Sequence, residues 1–167
     1  MKKSILLVAT IFGLASCNNS QTSTIERKDQ PAIYTVEDTD AEMNSAIKTA
    51  NQTLDKFNES LNSKNPDFGY FSLKTKFKTA KGGEHIWVSN ITIKDNKYFG
   101  VVDNLPEATT DVKIGDNIEI DKNNISDWMY IDKGKLRGGY TIRLLRNRMS
   151  VAERQQFDNE SGLIIED

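Results

Sequence analysis

The chain has 167 residues, with 22 Lys and Arg against 24 Asp and Glu and a formal net charge of -2 at pH 7. A charge so nearly balanced argues against electrostatic nucleic-acid binding by the chain as a whole. A single cysteine and a single histidine exclude an intrachain disulfide and leave a zinc site without its usual ligands.

The first elements read as an address rather than a fold. Lys2 and Lys3 precede an apolar run from Ile5 to Leu14, which is shorter than the roughly 20 residues a permanent spanning helix requires. Residues 1–16 are therefore expected to be an export signal. Leu14-Ala15-Ser16-Cys17 resembles the lipobox of bacterial lipoproteins, in which the cysteine carries the lipid. Cys17 is the expected lipidation site, and acyl chains contribute roughly 0.8 kcal/mol per buried methylene. The membrane is thus the first expected partner, reached through a lipid and not through a spanning helix. Residues 17–38 are polar and read as a flexible tether. The expected place is the bacterial cell envelope, facing the periplasm.

Thr39-Asp40-Ala41-Glu42 fits a capping box, and Met43, Ile47, Ala50, Leu54, Phe57 and Leu61 recur at spacings of four and three. This predicts one long amphipathic helix lying on a sheet, ended by Asn65-Pro66-Asp67. The period then changes to two. Phe71, Leu73, Thr75 and Phe77 alternate with Ser72, Lys74, Lys76 and Lys78, which predicts a strand. After Lys81-Gly82-Gly83, a strand from Glu84 to Lys94 puts His85, Trp87, Ser89, Ile91 and Ile93 on one side, and Tyr98 to Val102 adds a third strand. Asn117 to Ile120 and Trp128 to Ile131 are further strands. Tyr140 to Met149 reads as a short helix, and Ser150-Val151-Ala152-Glu153 caps another to about Phe157. The fold class is α+β: one domain over 39–158, with a long N-terminal helix on a mostly antiparallel, strongly curved sheet and short C-terminal helices. Residues 159–167 are expected to form a tail that is loose or pairs weakly.

Glu84-His85-Ile86-Trp87-Val88, Val101-Val102-Asp103-Asn104, residues 112–120, Ile125-Ser126-Asp127-Trp128-Met129-Tyr130 and residues 134–145 occur in the order found in the YegJ-like bacterial family, domain of unknown function 2314. The chain resembles that family from Ala41 to Met149. The resemblance implies a bacterial α+β domain and brings no activity, cofactor or catalytic residue with it.

Candidate chemistry is therefore weighed on the residues themselves. Trp87, Asp127, Trp128, Tyr130 and Tyr140 are the candidate binding surface, aromatic with one acidic anchor. The structural alternative places Trp128 in the core and gives Asp127 backbone N–H bonds at a turn, or Arg137 or Arg143 as partner. A hydrolytic site would join His85 to Ser89 or Ser126 and to Asp103 or Asp127, but no Gly-x-Ser-x-Gly elbow is present. Gly82-Gly83 and Gly138-Gly139 lack phosphate-loop spacing and read as turns. Arg137, Arg143, Arg146 and Arg148 form either a basic patch or a solvated face.

The expected function is a lipid-anchored, non-catalytic binding or interaction domain with an envelope protein as partner, no cofactor, no metal and no nucleic acid. One alternative is an envelope hydrolase using His85 and a nearby acid such as Asp103. Another is an immunity or inhibitor protein acting against a toxin.

Overall fold

The computed structural model describes residues 23–27, 30–35, 40–80 and 82–166. The signal and lipidation residues, Cys17 among them, and the expected cap Thr39 lie outside the described residues. Within the segment read as a tether, β1 (Ser23–Arg27) and β2 (Gln30–Thr35) pair antiparallel, with Ile25 opposite Ile33 and Thr24 opposite Tyr34. The polar composition of this segment concealed a short run of β-branched and aromatic residue types that favour extended backbone.

The apolar stripe at helical spacing forms α1 (Ala41–Gln52) and α2 (Leu54–Ser63), burying Met43, Ala50, Leu54 and Phe57. The expected single helix is broken at Thr53, which sits at φ -110° and ψ 9°. The Thr53 hydroxyl donates back to the Thr49 carbonyl at 2.8 Å, and such back-bonding from a β-branched residue opens a helix. Asp40, one position past the expected cap, accepts the Met43 N–H at 3.0 Å.

Six strands follow: β3 (Phe68–Thr79), β4 (Gly82–Lys94), β5 (Lys97–Val102), β6 (Asn117–Ile120), β7 (Ile125–Asp132) and β8 (Lys135–Gly138). They form one antiparallel sheet in the order β6-β5-β4-β3-β7-β8. Strand β8 was not expected from its short, basic sequence. The sheet is open, not strongly curled as expected. Its end strands are four residues each and do not pair with one another, as closure would require.

A bulge corrects the predicted face of β4. Asn90 lies at φ 52°, and the pairing with β5 shifts between Ser89 and Thr92. One extra residue inverts the alternation beyond it, so Ile86, Val88 and then Ile91 are buried. Ile91 therefore does not share a face with His85 and Trp87.

One face of the sheet packs under α1 and α2, where Ala50, Leu54 and Phe57 meet Leu73, Val88, Ile91, Tyr98, Ile120, Ile125 and Trp128. Further along that face, Ile86, Val102 and Val112 form a second cluster with Phe77 and Ile118. Here the 103–116 loop contributes Val112 to the cover. Glu84 pins that loop, accepting N–H bonds from Glu107 at 2.7 Å, Ala108 at 3.0 Å and Thr109 at 2.8 Å.

The chain closes with α3 (Tyr140–Arg148) and α4 (Val151–Ser161), whose Ser150–Glu153 capping box has both bonds in place. The tail is not loose. Ile164 bridges Lys135 in parallel, with the Leu136 N–H donating to the Ile164 carbonyl at 2.9 Å and the Ile164 N–H to the Gly134 carbonyl at 3.0 Å. The outer edge of β8 offers backbone groups that the tail satisfies.

Candidate functional site

Alternation along β3, β4 and β7 sorts the chemistry-bearing residues onto two faces. The register sets Lys74 opposite both Trp87 on β4 and Asp127 on β7, and Leu73 opposite Val88 and Trp128. Lys74, Trp87 and Asp127 therefore occupy the far face, turned away from α1 and α2, while Trp128 faces the helices.

Asp127 is fully buried. Its Oδ1 accepts the N–H of Trp128 at 2.8 Å and of Tyr140 at 3.1 Å. Its Oδ2 accepts the Thr141 N–H at 2.8 Å and the Thr141 hydroxyl at 2.7 Å. A strand carboxylate thus caps the first turn of α3, where the backbone supplies orphan donors and a positive dipole end. Gly138 and Gly139 make this approach feasible. Both have positive φ, and a Cβ on Gly138 would lie 2.2 Å from the Trp128 carbonyl oxygen.

Lys74 completes the arrangement. Its Nζ lies 5.4 Å from the centre of the Trp87 ring and donates to Thr141 Oγ1 at 3.3 Å. Burial holds the ammonium below the usual lysine value, against the attraction of Asp127. Burial likewise pushes the Asp127 carboxyl up, opposed by the Thr141 hydroxyl and N–H, the Lys74 charge and the Trp128 N–H. With four donors on two oxygens, Asp127 has little capacity left to take a substrate proton.

The expected binding surface does not assemble. Trp128 is 3% exposed, and its indole N–H donates to the Ala50 carbonyl at 2.9 Å and to Thr53 Oγ1 at 3.2 Å. Its ring lies 5.7 Å from Tyr140 and 6.2 Å from Tyr130. The Tyr140 hydroxyl lies within hydrogen-bond distance of Thr53 Oγ1 and the Tyr130 hydroxyl of Ser60 Oγ, each at 3.0 Å. These three rings fasten the helices to the sheet, while Trp87 is on the other side of it.

His85 does meet one of its expected partners. Its Nδ1 stands 2.8 Å from the Ser126 hydroxyl, which donates to the Lys74 carbonyl at 3.2 Å. Ser126 is buried, and Ser89 lies at the β4 bulge. The two candidate acids are engaged elsewhere: Asp127 caps α3, and Asp103 accepts the Tyr70 hydroxyl at 2.7 Å. Burial and that carboxylate raise the Tyr70 phenol to about 12. Among the described residues no group of three or more His, Cys, Asp or Glu converges as a metal site, and no helix is long and apolar enough to cross a membrane. The two recesses along β6, of about 420 and 260 Å³, hold none of the residues singled out above as candidate sites.

The arginines act as clips. Arg137 pairs with Asp132 at 2.8 Å, Arg146 with Asp158 at 2.7 Å, and Arg148 with Asp40 and Glu42. Arg143 donates to the carbonyls of Leu136 and Gly138. Sequence reasoning missed Lys74 and Thr141 as the partners of Asp127. The available signals were a hydroxyl directly after Gly-Gly-Tyr and a lysine within an otherwise half-buried strand.

The family described as an uncharacterized protein conserved in bacteria, DUF2314, matches residues 40–165. Over 100 residues the chain is 39% identical to the uncharacterized protein YegJ of Escherichia coli strain K12, covering 60% of this chain and 64% of that one. Over 140 residues it is 30% identical to a Neisseria meningitidis serogroup B protein with a provisional ankyrin-repeat name, covering 78% of this chain and 55% of that one. The match thus spans less than two thirds of either relative's length. No solved structure matches.

Proposed function

The chain belongs to the bacterial DUF2314 family, and on that premise we propose that it is a lipid-anchored cell-envelope protein with a non-catalytic binding or interaction domain. The lipobox-like Leu14-Ala15-Ser16-Cys17 behind a basic and apolar leader supports the anchor, and the residues after it lead to a single α+β domain. The observation that carries the non-catalytic reading is the state of Asp127, whose two oxygens are filled by four donors from the scaffold itself. A carboxylate so satisfied serves the fold and is poorly placed to act as a base.

Fractionation of cells carrying the wild-type chain or Cys17→Ser tests the anchor. The wild type is expected to sediment with membranes and the variant to be released. Equal partitioning with unchanged gel mobility would overturn the lipid anchor.

One observation favours a second reading, a hydrolase: the 2.8 Å approach of His85 to Ser126. It predicts turnover of an envelope-derived ester or amide that is lost in both Ser126→Ala and His85→Ala variants that still fold. The binding reading predicts no such turnover.

A further inference from the structure

The outer edge of β8 is covered by a segment that belongs to neither apolar cluster. Gly162 ends α4 in a left-handed conformation, at φ 63°, and the chain that follows runs back along β8. The Leu136 N–H donates to the Ile164 carbonyl at 2.9 Å and the Ile164 N–H to the Gly134 carbonyl at 3.0 Å, the bonds of a parallel pairing. Glu166 then meets three cations. Lys135 Nζ lies 2.5 Å from its Oε1 and Arg137 Nη1 3.3 Å from its Oε2, while Arg143 donates to its carbonyl.

The edge thus offers backbone groups for an extended chain and a shallow apolar seat at Gly134, where a Cβ would lie 3.4 Å from Ile164 Cδ1. Two residues further on it offers a basic pair for a carboxylate. The hold of the tail on this edge is slight. Ile164 is 51% exposed and buries little apolar area. The side chains of the two ion pairs on Glu166 are 38% to 49% exposed, where such pairs are weak and screened by salt.

We propose that the outer edge of β8, with Lys135 and Arg137, is a docking site for an extended segment of a partner protein that carries a branched apolar residue and, two positions on, a carboxylate, and that residues 163–166 fill it as an internal occupant. The chemistry of the partner comes from the tail itself, which displays the backbone pairing and the charge complementarity such a segment needs. The inference deepens the binding reading above and rests on it, naming the surface and the class of partner. A partner segment competes with the tail, so its apparent affinity is lowered by the fraction of chains whose edge is already filled.

The test is a fluorescence-anisotropy titration of the full chain into two fluorescein-labelled peptides. One has the sequence of residues 161–167, and the other keeps only the pattern, as Thr-Val-Thr-Glu-Thr. Two variants vacate the edge: Glu166→Lys, which sets like charges together, and Ile164→Pro, which has no N–H for the Gly134 carbonyl. Each is expected to bind both peptides about tenfold or more tighter than the parent does, because the internal competitor is gone. Replacing the glutamate of either peptide by glutamine should weaken binding to the Ile164→Pro chain by up to about fivefold. Adding Lys135→Glu/Arg137→Glu to that chain should remove the gain. Folded Glu166→Lys and Ile164→Pro chains that bind no better than the parent would overturn the proposal, as would binding indifferent to the Lys135 and Arg137 changes. Binding of the first peptide without the second would overturn it too, leaving the edge as a seat for the tail alone. Dimerisation of the parent that grows with concentration and is lost in Ile164→Pro would assign the edge to a second copy instead. Failure of the binding reading itself is seen separately, in turnover lost in Ser126→Ala and His85→Ala.

Discussion

The two faces of the β3–β4–β7 layer are both well packed beside Trp128, but by different physics. The face under α1 and α2 is held by apolar area: Phe57, Leu73, Val88 and Trp128 exclude water, and their few polar atoms find backbone partners. The far face buries a carboxylate, an ammonium and a hydroxyl that satisfy one another through Asp127, Lys74 and Thr141. Burial on the first face is nearly self-sufficient, because apolar contacts are individually small and replaceable. On the second it depends on every member being present. The comparison teaches that a buried acid beside a tryptophan can be the pin between a strand and a helix and not part of a ligand site.

The sharpest way to break this contrast is Asp127→Ala, which orphans four donors and leaves Lys74 without its counter-charge. A loss of about 3–5 kcal/mol is expected in urea unfolding, and a loss below about 1 kcal/mol would mean the far face is not a coupled network. Gly138→Ala strains the junction of the two faces, with φ at 69° and a clash on the Trp128 carbonyl. About 2–3 kcal/mol should be lost, with α3 detached first in hydrogen exchange. Trp128→Phe stays on the apolar side and keeps most of the ring area while removing the bond to Ala50. Its expected cost is smaller, about 1–2 kcal/mol by thermal unfolding.

The smallest effect concerns pH. Hydrogen bonding from Arg148 holds Asp40 well below its ordinary value, at about 2. A carboxyl lowered in the folded state contributes stability above its unfolded value near 4 and loses it as the pH falls from there towards 2. The contribution is at most about 2 kcal/mol, and it joins the start of α1 to the end of α3. In Arg148→Gln, the difference in melting temperature from the parent should shrink across that window. A constant difference would show that Asp40 does not titrate as the pairing requires.

Much of the architecture was legible because periodicity is local. The stripe from Met43 to Leu61, the alternation through Phe77, the Asp95–Asn96 turn and the Ser150 capping box all fall where their spacing places them. What failed were local irregularities imposed by neighbours. Thr53 back-bonds and breaks the helix, Asn90 takes a left-handed conformation and turns over the end of β4, and Lys135–Gly138 becomes a strand because β7 and the tail flank it. The candidate site was read from the right residues and the wrong grouping. Trp128, Tyr130 and Tyr140 did converge, but as core and helix fasteners, and Trp87 was separated from them by the thickness of the sheet.

Composition and period by themselves determined an α+β chain with a mixed surface, a single cysteine in a lipobox-like setting and an amphipathic helix laid on strands, because these follow from residue types a few positions apart. Only the tertiary structure decided that Asp127 answers to Thr141 and Lys74, that His85 meets Ser126, and that three lysines and Trp87 share one face of the sheet. Those relations cross from strand to strand or from strand to helix over as many as 67 residues, and nothing in the local pattern says which residue will stand opposite which.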